Sequence, residues 1–261
     1  MSNTPFEFIN NQRWAELAGV NYDSEQISPG PIAYSRTHCV VDQFPLLATF
    51  DACILLTSFS DGCVTQDMAD LLPANVTTWF SNNVSCIHPR VRAIPIGYVY
   101  NIEREKVLSD HYMNVALPRE NLVYMNFTKK VPRAINPRAG LYEKFQSKKW
   151  VTTKGGVSHA SVAASEFYTD LRSHDYCLSP DGAGPDCHRH WEAMVLGCIP
   201  IVLRSQANEL LEDMPALRVN SWDHVTEETL RRMLPDMQKR FTVINKNKCG
   251  MGYWRKKICT L

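Results

Sequence analysis

The sequence predicts an α/β protein built on parallel sheet. Two stretches carry that expectation. Tyr176–Leu203 reads as strand, glycine loop, helix, strand, and Cys53–Phe59 (CILLTSF) is a near-continuous apolar run that ends in small polar residues. Such runs suit central parallel strands covered on both faces. A right-handed βαβ connection places the loop and helix start of the first stretch at the carboxyl edge of its sheet.

The 261 residues suffice for one large or two small α/β domains, and 44% hydrophobic residues is ordinary globular composition. A net charge of +1 supplies no bulk attraction to nucleic acid or membrane. The chain lacks a run of about 18 apolar residues. Its first residues, MSNTPFEFINNQRW, have neither a basic nor an apolar signal-peptide region. Nine cysteines leave at least one unpaired, and the absence of a CxxC pair argues against zinc. These features predict a cytoplasmic protein without a transmembrane segment, in which the sequons at Asn75, Asn83 and Asn126 are idle. No internal repeat or low-complexity tract occurs.

In chain order, Ser28–Pro31 marks a turn, Val40 and Val41 suggest a short strand, and Phe44–Phe50 a connecting helix. After the strand from Cys53, the residues Ser60, Asp61 and Gly62 fall where open α/β sheets receive ligands. Gln66–Leu72 and Thr77–Val84 read as short helices, and Ala93–Ile96 as a strand ending at Gly97. Glu103–His111 is a charged surface helix or linker, and Asn121–Phe127 a strand. A basic loop follows with Lys129, Lys130, Arg133 and Arg138, then a helix Leu141–Lys148 and a strand Trp150–Thr153. That loop either meets a phosphate or is simply solvated. Ser158–Ser173 reads as helix, closed by Ser173–Asp175. Beyond Leu203 come a short helix Asn208–Leu211, a strand Leu217–Val219, and a helix capped by Thr226 that ends at Pro235. The tail carries Tyr253 and Trp254 beside Arg255, Lys256 and Lys257.

The chemistry concentrates in the segment SPDGAGPDCHRHWEAMVLGCIPIV, which starts at Ser179. Gly182 and Gly184 break regular structure, and a helix begins near Asp186 and Cys187. Free N–H groups and the helix dipole favour an anion there. Arg189 suits a diphosphate, His188 offers a further donor, and Glu192 shares their face, where a carboxylate accepts from ribose hydroxyls. The competing reading is a solvated mixed-charge face, with Glu192 pairing with Arg189.

This segment resembles the donor-sugar signature of exostosin-like glycosyltransferases, and in motif most nearly the ribitol xylosyltransferases. The shared pattern is S-P-x-G-x-G-x-D-C-H-R-x-W-E-A-x-x-L-G-x-I-P-I-V. A strand ending in S-x-S-D, LPANVTTWFSNNV and HPRVRAIPIG extend the likeness toward the N-terminus. The resemblance implies a GT-B fold: two Rossmann-like domains across a cleft, with a C-terminal helix crossing back. It implies an acceptor domain at 1–118, a donor domain at 119–244 and a crossover helix at 245–261. The donor implied is a UDP-sugar, with UDP-xylose favoured, bound as substrate rather than as a resident cofactor; the partner implied is a glycan acceptor. An arginine of the basic loop joins the donor site in the family pattern, and Arg133 and Arg138 both qualify. The chain has no D-x-D motif, so metal-independent, inverting chemistry is expected, with Arg189, His188 and loop amides holding the leaving group. Asp61 is the expected base, with Asp42 and His88 as alternatives and a turn aspartate as the competing reading. A catalytically inactive nucleotide-sugar binding module is the alternative function. A dinucleotide oxidoreductase ranks last, because Cys187 stands where G-x-G-x-x-G needs its third glycine.

Overall fold

The computed structural model describes residues 6–21, 23, 26–113, 119–155 and 163–260. Their strands form two wholly parallel sheets. The first contains β1 (Ile32–Arg36), β2 (Cys53–Ser58), β3 (Val76–Ser81) and β4 (Val91–Ala93), in the order β1-β2-β3-β4. The second contains β5 (Asn121–Met125), β6 (Val151–Thr153), β7 (His174–Leu178), β8 (Ile199–Leu203) and β9 (Leu217–Val219), in the order β6-β5-β7-β8-β9.

Side-chain alternation sorts the first sheet into two faces. Ala33, Leu55 and Trp79 stand side by side across three strands and pack against the connecting segments, through Val40, Leu47, Val64 and Leu72. Right-handed crossovers between strands in consecutive order must lie on one face, which accounts for that arrangement. Their neighbours Tyr34, Leu56 and Phe80 point the other way, into a core shared with Trp14, Trp254, Trp191 and Val202. The second sheet divides similarly. Tyr124 and Cys177 enter the shared core, while Val123, Tyr176 and Ile201 enter a separate one under the helix Glu227–Lys239. The largest apolar cluster therefore draws on both sheets.

The chain's last helix, Met251–Cys259, packs on its N-terminal residues. Met251 N–H donates to the Glu7 carbonyl at 2.8 Å, and the Tyr98 hydroxyl donates to the Cys249 carbonyl at 3.1 Å. Trp254 meets Trp14 edge-on with 6.3 Å between ring centroids. No helix among the described residues is long and apolar enough to cross a membrane.

Several elements differ from expectation. Thr77–Val84 is not helical: Val76–Ser81 is strand β3, as its β-branched and aromatic residues favour once both faces are covered. The residues around Val40 form turns and the short 3-10 helix Val41–Gln43, and the edge strand lies earlier, at β1. Pro235 does not end its helix, which continues to Lys239 with Met237 buried; packing of that face outweighs one lost backbone bond. The helix before β7 spans Ala164–Ser173, and His174 starts the strand. Residues 158–162 of the expected helix, and the boundary expected at Pro118, lie outside the described residues.

The second sheet's order points to a candidate ligand site without reference to any motif. Counted within the sheet, its strands run 2-1-3-4-5, so strand order reverses between β5 and β7. Open α/β sheets bind ligands outside the carboxyl ends at such a switch point. Asn126–Thr128 and Ser179–Cys187 are the segments that leave β5 and β7 there.

Candidate functional site

A cavity of about 1270 Å³ opens at the switch point, lined by Asn126–Lys130, Gly182–Gly184, Asp186–Arg189 and Glu192 of the C-terminal half. The N-terminal half contributes Asp61, Ile96, Val99 and Arg104.

The glycine loop is fixed before any ligand arrives. Ser179 N–H donates to the Ile201 carbonyl at 2.9 Å and prolongs the ladder, while its buried hydroxyl has no hydrogen-bond partner among the described residues. Gly182 N–H donates to the Gly184 carbonyl at 2.9 Å. A Cβ on Gly184 would stand 2.7 Å from Asn83 Nδ2 and 3.0 Å from the Asp61 carbonyl, so close approach of the two halves demands glycine here. Asn83 is the counterpart of that contact. It takes the left-handed conformation (φ 54°), accepts from Asp186 N–H at 2.9 Å and donates to the Ser60 carbonyl at 3.1 Å.

Asp186 is almost fully buried and its carboxylate is spoken for. Oδ2 accepts from Ile96 N–H at 2.7 Å, and Oδ1 from the Trp191 indole at 2.9 Å. His190 Nε2 faces the Ser179 carbonyl at 3.2 Å and so carries a hydrogen. Its Nδ1 accepts from Cys187 N–H at 3.2 Å in the neutral ring, or donates to Asp186 Oδ1, also at 3.2 Å, when protonated. Asp186 thus ties the helix that follows it to the N-terminal half. Cys187 caps the helix His188–Val195, and burial pushes its thiol up to about 11. His188 Nδ1 lies 2.9 Å from the Gly97 carbonyl, which fixes its hydrogen on that nitrogen; Nε2 has no partner among the described residues.

Arg189 is 9% exposed, and its Nη1 is buried with no hydrogen-bond partner among the described residues. Its guanidinium stands 5.5 Å from the centre of the Phe127 ring. Arg138, 4% exposed, stands 5.6 Å from the same ring. Arg138 is anchored by Nε to the Asp181 carbonyl (2.8 Å) and by Nη1 to the carbonyl (3.0 Å) and hydroxyl (2.6 Å) of Thr128. Burial first, and then the charge of Arg189, lower its pKa to about 10. Among the described residues no carboxylate pairs with either arginine. Two buried cations against one ring, one with an unsatisfied N–H, constitute half of an ion pair. Of the two loop arginines, Arg133 is the outer one. It reaches Asp181 Oδ2 and the Gly182 carbonyl, each at 3.5 Å, and does not line the cavity.

Glu192 is 2% exposed and does not pair with Arg189. Its Oε1 accepts from Arg104 Nη2 (3.2 Å), Arg104 Nε (3.3 Å) and the Tyr168 hydroxyl (3.0 Å). Asp61 is exposed on the cavity rim, beside Gly184. Asp42, in a 3-10 helix, and His88, whose Nδ1 accepts from Arg90 N–H, do not line the cavity. Sequence reasoning missed Arg104, Tyr168, Phe127 as a platform, and Asn83. Phe127 left a trace as the aromatic at a strand end, and Asn83 as part of LPANVTTWFSNNV.

No protein-family model and no curated protein sequence matches this chain. Among solved structures it is similar to the pneumococcal O-GlcNAc transferase GtfA in complex with UDP and GlcNAc, with TM-score 0.41 and 10% identity over 88% of this chain and 55% of that one. It is also similar to a GtfA/B complex, with TM-score 0.39 and 10% identity over 88% of this chain and 57% of that one. The chain thus spans a little over half the length of these proteins, at 55% and 57%.

Proposed function

We propose that this protein is a glycosyltransferase that moves a sugar from a nucleotide-diphosphate donor to a hydroxyl of a glycan acceptor. The observation that carries the reading is the pair Arg138 and Arg189, buried on Phe127 beside a helix N-terminus, with an unpartnered Nη1. A diphosphate is the multivalent anion that such an arrangement accommodates. A cavity of about 1270 Å³ has room for the sugar and nucleoside as well. The uracil base and a xylosyl group rest on the motif resemblance alone.

In the reaction the bond between the anomeric carbon and the diphosphate oxygen breaks while the acceptor oxygen bonds to that carbon. The electron pair leaves with the diphosphate. Arg138, Arg189, the Nε2 side of His188 and the amides at the helix start neutralise the charge that develops there. Two fixed cations and a helix N-terminus can serve where other enzymes use a metal, and we propose that transfer is metal-independent. Inversion requires a base on the opposite side of the sugar, and Asp61 on the rim is the candidate. The division of labour follows: residues 1–118 receive the acceptor, residues 119–244 hold the donor, and 245–261 brace the first unit.

One observation favours the second reading, an inactive donor-binding module: the Asp61 carboxylate has no hydrogen-bond or ion-pair partner among the described residues to orient it as a base. A panel of nucleotide sugars separates the two. Thermal shift identifies donors that bind the native state, and release of free UDP from the stabilising donor reports turnover. An enzyme releases UDP, faster when a glycan acceptor is added. A module is stabilised without release. No thermal shift with any nucleotide sugar refutes both.

A further inference from the structure

Glu192 presents a buried carboxylate whose two oxygens stand in different surroundings. Oε1 is saturated by Arg104 and Tyr168, while no protein donor reaches Oε2 among the described residues, and the residue lines the cavity. Oε2 is therefore the oxygen left open to the cavity, free to accept from whatever donor a ligand brings there. The two clamping residues come from elsewhere in the chain. Arg104 belongs to the helix Ile102–Met113, which packs on the helix Ala164–Ser173 that bears Tyr168. Arg104 Nε also donates to the Tyr168 hydroxyl at 2.9 Å, and its guanidinium lies 5.4 Å from the centre of that ring. The three side chains therefore lock one another, and Glu192 is left little rotational freedom.

We infer that Arg104 and Tyr168 are positioning residues that make the pocket selective for ribonucleotides over 2′-deoxyribonucleotides, by aiming Glu192 Oε2 at the ribose hydroxyls of the donor. The inference rests on the nucleotide-diphosphate reading of the cavity. A hydroxyl that donates to a pre-aimed carboxylate is recognised strongly, and a bound nucleotide that lacks the hydroxyl leaves that oxygen unpaired in the occupied site. If Glu192 could swing freely it would relax around the deoxy sugar and discriminate weakly. The fixed clamp prevents that, which is how Arg104 and Tyr168 govern selectivity through Glu192.

The test measures the ratio of dissociation constants for UDP and 2′-deoxy-UDP by calorimetry, in the wild type and in Glu192→Ala, Arg104→Met and Tyr168→Phe. The wild type should favour UDP by about tenfold or more, as a charge-assisted hydrogen bond supplies. Glu192→Ala should bring the ratio close to one. Arg104→Met should reduce it severalfold, and Tyr168→Phe, which removes one hydroxyl and is conservative in shape, should reduce it less. A merely structural role would weaken both nucleotides equally and leave the ratio unchanged. A wild-type ratio in Tyr168→Phe and in folded Arg104→Met, with Glu192→Ala collapsed, overturns the positioning role alone. A ratio near one in the wild type overturns ribose recognition by Glu192. Failure of the wild type to bind UDP at all overturns the underlying reading of the cavity, and this inference with it.

Discussion

The carboxyl edges of the two sheets face the same cavity but are built differently. At the edge of the second sheet, Asp186, Arg189 and Glu192 are all at most 9% exposed, and each is held by hydrogen bonds or an aromatic ring. At the edge of the first, Asp61 and Gly62 are exposed, and Phe59 takes a left-handed backbone (φ 57°) and is 40% exposed. The contrast matches two different tasks. A diphosphate leaving group is stabilised by cations fixed in place and shielded from water, because reorganisation during the reaction would waste their effect. An acceptor hydroxyl needs an open approach and a base within reach. On the proposed function, the edge with rigid charge would hold the donor and the edge with accessible charge would receive the acceptor.

Substitutions on the two edges should fail in different ways. The largest effect expected is kinetic and belongs to the open edge. Asp61→Asn keeps the size but removes the basicity, and should lower the transfer rate by about 10² to 10⁴ while UDP affinity and stability stay put. A rate equal to wild type would make Asp61 a turn residue. On the buried edge, Asp186→Ala should instead cost stability, because it strands Ile96 N–H and the Trp191 indole. Urea unfolding should register a loss of about 3 kcal/mol or more. An unchanged midpoint would deny that Asp186 joins the halves.

Arg189→Met separates function from stability within the buried edge. The arginine lacks a partner for Nη1 and lies near a second cation, so its removal should leave the ligand-free protein as stable or slightly more so, by up to about 1 kcal/mol. A clear loss of stability would mean that Arg189 holds the fold and is no vacant half of an ion pair. The smallest effect concerns metal. Transfer should be indifferent to EDTA if, as proposed, Arg138, Arg189 and the helix start carry the leaving-group charge. Activity abolished by chelation and restored by Mn²⁺ or Mg²⁺ would contradict this.

The same contrast governs what could be read from the sequence. The strand, glycine loop and helix around Ser179–Val195 were legible because Gly, Pro and the helical spacing of Trp191, Met194 and Val195 act locally. Strand β3 was not, because its end carries Ser81, Asn82 and Asn83, polar residues that look like turn or helix until their long-range bonds are known. β1 was obscured likewise by its brevity and by Ser35, buried against Gln43. Glu192 was singled out from its helical face, but its partner Arg104 lies 88 residues away on a helix of mixed charge. Spacing pointed to Arg189, and there the tertiary structure decided otherwise. Nothing in the sequence states that Arg189 lacks a partner; that property exists only once every neighbour is in place. The difference between Arg133 and Arg138 is of the same kind: in space Arg138 lies against Phe127 and lines the cavity, while Arg133 does not line it.

The central claim is that Arg138 and Arg189 on Phe127 form a diphosphate site, and calorimetry with UDP and UMP tests it most directly. The two ligands share base and ribose and differ in the β-phosphate. The wild type should bind UDP at least about tenfold more tightly than UMP, and Arg189→Met should lose most of that difference while its weak affinity for UMP changes less. Equal affinities for UDP and UMP in the wild type, or a preference for UDP that survives intact in Arg189→Met, would contradict the account.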